Sequence, residues 1–259
     1  YTCFKEKEVK KYMFNFNVDK KTLYIILAIV VLISMVNYLR NPGELLALLL
    51  TLPGVIVAIT FHEFAHAWMA DKLGDDTPRN QGRLNLNPLS HIDPFGFIML
   101  VFAHFGWGKP VEINPRNFNR KYTMEQGEAM VSAAGPIMNF ILAIVISVIV
   151  CAINKFAGIS FMQTTLGATI MTILTYAVIV NVGLGVFNLL PLPPLDGSKI
   201  FINFMPYNVK NWIQSNSNIF YIIFLVIWIT GIAGQIVSPI IDAITSGIFA
   251  GVGWIFGLF

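Results

Sequence analysis

Charge is scarce in this chain of 259 residues: Asp, Glu, Lys and Arg together make up 12% of it, against 56% hydrophobic residues. So few charges cannot cover the surface of a soluble domain of this length, which excludes an ordinary water-soluble fold. Cysteine is scarce as well, with Cys3 in a polar N-terminal tail and Cys151 inside an apolar run. That pair excludes a disulfide framework and a thiolate metal site. Basic patches interleaved with exposed aromatics are missing too. The Lys and Arg residues flank hydrophobic runs instead, which argues against nucleic acid as a partner. No repeat of solenoid length is present.

What the chain does have is long apolar runs, at 23–39, 45–58, 137–153, 166–190, 219–232 and 236–259. Each is near or above the ~20 residues that cross a bilayer. The expected fold is an all-α polytopic membrane protein of about six transmembrane helices, with the lipid bilayer as its surroundings. The first run is long, lacks a small-residue cleavage pattern and follows a lysine-rich tail, so it reads as an anchor rather than a signal peptide. The chain opens on Tyr1, and no function is attached to the tail. With that tail in the cytoplasm, all of the 17 Lys and Arg except Arg40 and Lys155 fall on the inner side. The positive-inside rule therefore places both termini in the cytoplasm.

Asn41-Pro42-Gly43 turns the chain into the second span, which passes Pro53-Gly54, a bend, and carries His62 and His66 in its last third. The polar stretch 74–94 follows. Within it Gly82-Arg83-Leu84-Asn85-Leu86-Asn87-Pro88 alternates polar and apolar residues, as a short strand would. Residues 95–107 are apolar but too short and glycine-interrupted to cross, and read as a re-entrant or interfacial element. The third span opens at Ala134-Gly135-Pro136. The fourth runs inward from near residue 164 to Asn188, before Pro191, Pro193 and Pro194 enforce an extended backbone just ahead of Asp196. Such backbone survives at membrane depth only when buried in protein or lining a wet cavity.

His62-Glu63-Phe64-Ala65-His66 reads H-E-x-x-H. On a helix, residues four apart share a face, so two imidazoles can grip one ion while Glu63 reaches a water beside it. Neutral imidazoles suit zinc, zinc makes water acidic, and a glutamate can take the proton and pass it to a leaving amine. Ionisable groups in an apolar helix are costly in lipid unless they face a protein interior or a cavity, which raises these three above a merely structural polar cluster. A catalytic zinc site wants three protein ligands. Asp196 is the candidate for the third, because the second and fourth spans both end inward and deliver it to the side of His62 and His66. The competing reading of Asp196 is a turn residue before Gly197. Asn139 reads either as a donor to the carbonyl under attack or as an interhelical hydrogen bond. Asn188 has the same two readings and a third, a cap for the broken helix. Asp242 reads as a helix-packing or interface residue, His91 and His104 as structural histidines, and Trp107 as core or lipid-facing.

With these motifs assembled, the chain resembles the site-2 protease family of intramembrane zinc metalloproteases, of the M50 type. The resemblance spans about residues 60–199. It rests on the H-E-x-x-H segment followed by Leu73-Gly74-Asp75-Asp76-Thr77-Pro78, on the Gly82 to Pro88 segment with His91-Ile92-Asp93-Pro94, and on Trp107-Gly108-Lys109-Pro110-Val111 with Asn114-Pro115. Ala134-Gly135-Pro136 with Asn139, Phe187-Asn188-Leu189-Leu190-Pro191 and Pro194-Leu195-Asp196-Gly197 complete the series. Ser198 stands where many members have a second glycine.

The resemblance implies one zinc ion per chain held by His62, His66 and Asp196, Glu63 as base, and Asn139 close to the active site. It also implies substrates that are single-pass membrane proteins, trimmed first by another protease. Lacking PDZ and CBS domains, the chain is similar to the compact bacterial and archaeal branch, a resident of a prokaryotic cell membrane, and a regulatory membrane partner is compatible with it. The expected layout is a cytoplasmic tail at 1–22 and a single transmembrane protease domain at 23–259, with a catalytic core at 44–200 and a C-terminal helix pair at 218–259. A metal-ion transporter and a catalytically silent scaffold for membrane segments are the competing readings, and Glu63 weighs against both.

Overall fold

The structure is a computed structural model that describes residues 20–103 and 106–258. The lysine-rich tail with Cys3, and His104, lie outside the described residues. The chain runs through α1 (Lys20–Arg40), α2 (Pro42–Lys72), α3 (Thr77–Asn80), α4 (Pro88–His91), α5 (Pro94–Ala103), a 3-10 turn (Pro115–Asn117), α6 (Met124–Phe156), α7 (Gly158–Met162), α8 (Thr165–Asn188), α9 (Asp196–Ile202), α10 (Tyr207–Ser215), α11 (Ser217–Ile229) and α12 (Ile232–Phe256). Among the described residues α2, α6, α8 and α12 are long and apolar enough to cross a bilayer. The fold is that of an all-α polytopic membrane protein. Of the other two runs expected to span, the C-terminal one folds as α11, whose 13 residues reach only roughly 20 Å. The N-terminal one lies in α1, where Val31–Arg40 is a shorter apolar stretch.

Local chemistry explains the helix ends. Pro42 occupies the first turn of α2 with Glu44 beside it, where neither the missing N–H nor the negative charge is unfavourable. Pro53 lies inside that helix without ending it, and Gly54 next to it lets α2 touch α8: a Cβ there would lie 2.7 Å from Ala177 Cα. The third span begins ten residues before the expected Ala134. Thr123 and Gln126 form a reciprocal capping box that starts α6 at Met124. Thr164 caps α8 by accepting from the Gly167 N–H at 3.0 Å.

The helices α2, α6 and α8 pack on one another, and α12 lies against α6 and α8. Their shared core is built from Ala143, Ile146, Val150, Ala177, Val178, Val182, Val186 and Val237. Close approach through small residues is how helices gain contact where lipid tails are as apolar as leucine.

The expected strand at 82–87 is absent. Asn85 donates to the Gly82 carbonyl, the Asn87 N–H donates to Asn85 Oδ1 at 2.7 Å, and Gly82 has φ +66°, so side chains bend the backbone out of any ladder. The only pairing among the described residues is an isolated antiparallel bridge, Ile92 with Gly108. It ties the irregular segment 106–113, which follows the short helix α5, to the end of α4.

Candidate metal centre

Two turns before its end, α2 presents His62 and His66 to the interior, 6% and 8% exposed. The turn-rich 189–195 segment brings Asp196 to them from the far end of α8. Gly197 makes this possible, because a Cβ there would lie 2.4 Å from the Leu189 carbonyl carbon. Ser198, the departure from a second glycine, is buried and donates to the Leu195 carbonyl at 2.7 Å, disturbing nothing.

Asp196 Oδ2 lies 3.1 Å from His62 Nε2 and 3.2 Å from His66 Nε2, and the two Nε2 atoms are 3.0 Å apart. These three form the group of potential metal-ligating side chains among the described residues. The structure thus unites the three residues singled out from the sequence. Zinc bonded at ~2.0 Å to tetrahedral ligands separates those ligands by roughly 3.3 Å, so the triangle fits zinc closely. The other ring nitrogens strengthen the fit. His66 Nδ1 bonds the Val131 carbonyl at 2.7 Å and His62 Nδ1 bonds Asn139 Oδ1 at 2.7 Å. Both partners only accept, so each neutral ring carries its hydrogen on Nδ1 and turns a bare lone pair from Nε2 toward the carboxylate. Three converging acceptors repel one another unless a cation lies between them. Gly135 leaves the room for it: a Cβ at that position would lie 2.6 Å from His66 Nε2 and 2.7 Å from His62 Nε2.

Asn139 lies beside the triangle. Buried and 0% exposed on α6, it spends both amide hydrogens, one on the Ala58 carbonyl at 3.1 Å and one on Asn181 Oδ1 at 3.0 Å. With both hydrogens so engaged, Asn139 Oδ1 faces His62, and the amide makes the interhelical hydrogen bonds that were one of its two readings. Asn188, which also lines the cavity around the triangle, donates to the Leu184 carbonyl of its own helix at 3.0 Å. His91 is buried with Nε2 donating to the Asn85 carbonyl at 2.7 Å, the structural histidine expected, and burial pushes its pKa down. Asp242 is exposed on α12.

Around this triangle opens a cavity of about 990 Å³. Glu63 lines it together with Trp107 and Gly108 of the 106–113 segment and with residues of α11 and α12. A Cβ on Gly108 would lie 2.9 Å from Ile59 Cγ2 and 3.1 Å from Glu63 Oε1, so the segment passes close against α2 beside the carboxylate. Behind Glu63, buried Arg83 donates to the Lys109 carbonyl and places Nη2 4.0 Å from Glu63 Oε2. Burial pushes the Arg83 pKa down, opposed by the nearby Glu63 and Glu112.

The geometry has the layout of a metallopeptidase centre: two histidines from one helix, a carboxylate from another, a glutamate beside the first ligand and a cavity facing all four. Residues 50–230 match the family described as peptidase family M50. The chain belongs to peptidase family M50. It is 36% identical over 189 residues to the "Putative zinc metalloprotease YwhC" of Bacillus subtilis, covering 73% of this chain and 84% of that protein. The "Putative zinc metalloprotease Rip2" of Mycolicibacterium smegmatis is 30% identical over 158 residues, 58% of this chain and 54% of that protein. Rip2 of Mycobacterium tuberculosis is 28% identical over 152 residues, covering 57% of this chain and 54% of that protein. The chain therefore spans about half the length of the Rip2 proteins. No solved structure matches it. This M50 chain is an integral membrane protein and a zinc metalloprotease of the site-2 type.

Gly135, Gly108, Arg83 and Asn181 were not identified from the sequence as site residues. Gly135, Gly108 and Arg83 lie within the segments that carry the family resemblance, but nothing in the sequence says what each touches. Arg83 and Asn181 stand out only once the chain is folded.

Proposed function

We propose that this chain hydrolyses peptide bonds of single-pass membrane proteins in or near their membrane-spanning segments. One zinc ion per chain would be held by His62, His66 and Asp196, and Glu63 would act as the base. The observation that carries this reading is the convergence of three bare acceptor atoms at 3.0–3.2 Å from one another, at the wall of a cavity that Glu63 also lines. Zinc bound there would supply Lewis acidity and make water a nucleophile near neutral pH. Glu63 would take a proton from the attacking water and deliver it to the amine that departs. Asn139 would hold the His62 ring, and the Val131 carbonyl the His66 ring.

An intact helix hides its amides, so the substrate would have to enter in extended form. The proposed docking segment is 106–113, rather than 82–87 or the proline-rich stretch before Asp196, the two segments whose sequences suit an extended backbone. Its residues line the cavity close to Glu63, which supports pairing with an extended substrate by β-addition. In the proposed topology the chain is multi-pass, in a prokaryotic cell membrane, with both termini cytoplasmic and all of residues 23–259 in one domain.

The test is a cleavage assay with purified protein in vesicles and a single-pass substrate. Glu63→Gln is expected to keep zinc and to lose cleavage by at least about 100-fold. Wild-type cleavage by zinc-loaded Glu63→Gln would remove Glu63 from the reaction, and metal flux through the vesicles without cleavage would replace the protease by a transporter.

A further inference from the structure

Asn139 can serve His62 only in one of its two amide orientations, and something must select it. The selection is visible as a relay of three side chains from three helices. At one end, Asn181 on α8 donates from Nδ2 to the Ala177 carbonyl of its own helix at 2.8 Å. A backbone carbonyl only accepts, so the Asn181 amide cannot be reversed and its Oδ1 must face away. Oδ1 accepts from Asn139 Nδ2 at 3.0 Å, and the same nitrogen donates to the Ala58 carbonyl of α2 at 3.1 Å. Asn139 Oδ1 is thereby turned to the His62 Nδ1 hydrogen at 2.7 Å. Asn139 and Asn181 are both 0% exposed, so no water competes for these bonds.

We infer that Asn181, which touches neither the metal triangle nor the cavity, is a positioning residue that sets zinc affinity by fixing the tautomer of His62. If the Asn139 amide reversed, its Nδ2 would face His62 Nδ1, the ring hydrogen would move to Nε2, and the lone pair aimed at the metal would be gone. Hydrogen-bond partners that fix a metal-binding histidine are worth about 10–100-fold in metal affinity. Two carbonyls, Ala58 and Ala177, act as the immovable ends of the relay, and Asn181 is the link that transmits the second. The inference rests on the reading of His62 as a ligand and adds a residue to it from outside the site.

The test compares zinc affinity by chelator competition in the wild type, Asn181→Leu and Asn181→Asp. Leucine fills the space but offers no acceptor, and is expected to weaken zinc binding about tenfold. Buried aspartic acid, in its protonated form, supplies the same acceptor to Asn139 and the same donor to Ala177, and is expected to bind zinc within about threefold of the wild type. A folded Asn181→Leu that binds zinc as tightly as the wild type would overturn the inference, as would Asn181→Asp failing as badly as leucine. Nitrogen-15 spectra of the zinc-free wild type, with His62 assigned by its absence in His62→Gln, give a reading that needs no Asn181 variant. The hydrogen on Nδ1 is expected, and a hydrogen on Nε2 would overturn the inference. Failure of the wild type to bind zinc at all would instead sink the proposed function.

Discussion

Gly135 faces His66 so closely that a methyl group on it would lie 2.6 Å from the imidazole Nε2. The residue is buried on α6, one position before Pro136, and its lack of a side chain leaves space where three acceptor atoms converge. Gly135→Ala is therefore expected to cost zinc before it costs the fold. Zinc content by atomic emission should fall well below that of the wild type, with helix content by circular dichroism unchanged. Full zinc occupancy in Gly135→Ala would mean that the ion lies elsewhere.

Gly197→Ala tests the other half of the site. Its methyl would press on the Leu189 and Leu190 carbonyls at 2.4 Å and push the start of α9, with Asp196, away from the histidines. Both zinc content and cleavage should fall together. Overpacking of this kind costs about 1–3 kcal/mol, so a lowered melting temperature is expected as well.

The parts of the molecule legible in the sequence were those with one dominant physical cause. Long apolar runs had to become helices, and two histidines four residues apart with a glutamate between them had to share a helix face. Asp196 could be placed beside them because it follows the fourth apolar run, which the expected topology directs to the same side as the run carrying the histidines. Residues 82–87 misled, since their alternation matches a strand while the Asn85 side chain satisfies the Gly82 carbonyl and the Asn87 N–H. The amide of Asn139 could not be assigned, because its orientation depends on Asn181 and Ala58, far away in sequence. The bridge that ties Gly108 to Ile92 was equally hidden, because it joins residues on either side of α5.

Arg83→Met separates substrate handling from metal binding. It removes the donor to the Lys109 carbonyl and the charge 4.0 Å from Glu63, yet keeps the buried apolar stem. Loss of a hydrogen bond from a charged donor is worth about 1.5–3 kcal/mol, so cleavage is expected to fall roughly tenfold or more while zinc content stays at the wild-type level. Loss of zinc in this variant would contradict the assignment of Arg83 to the 106–113 segment.

Asp75 anchors the loop after α2. It is buried, and burial alone would raise its pKa. Hydrogen bonds from the Thr77 hydroxyl, the Asn114 N–H and the Asn117 amide prevail and hold it below the ordinary carboxylate value. A carboxylate whose pKa is lowered by folding contributes stability above about pH 4, and that contribution disappears as pH falls through its folded value. Asp75→Asn is expected to lower the melting temperature at neutral pH and to flatten its decline on acidification. An unchanged acid-side decline would assign it to other groups.

The central claim, a zinc ion gripped by side chains of α2 and α9, is tested most directly by anomalous diffraction from crystals of the zinc-loaded protein at the zinc absorption edge. One peak is expected, about 2.0–2.2 Å from His62 Nε2, His66 Nε2 and a carboxylate oxygen of Asp196. A peak bound by other residues, or one that persists unmoved in Asp196→Ala, would contradict the account.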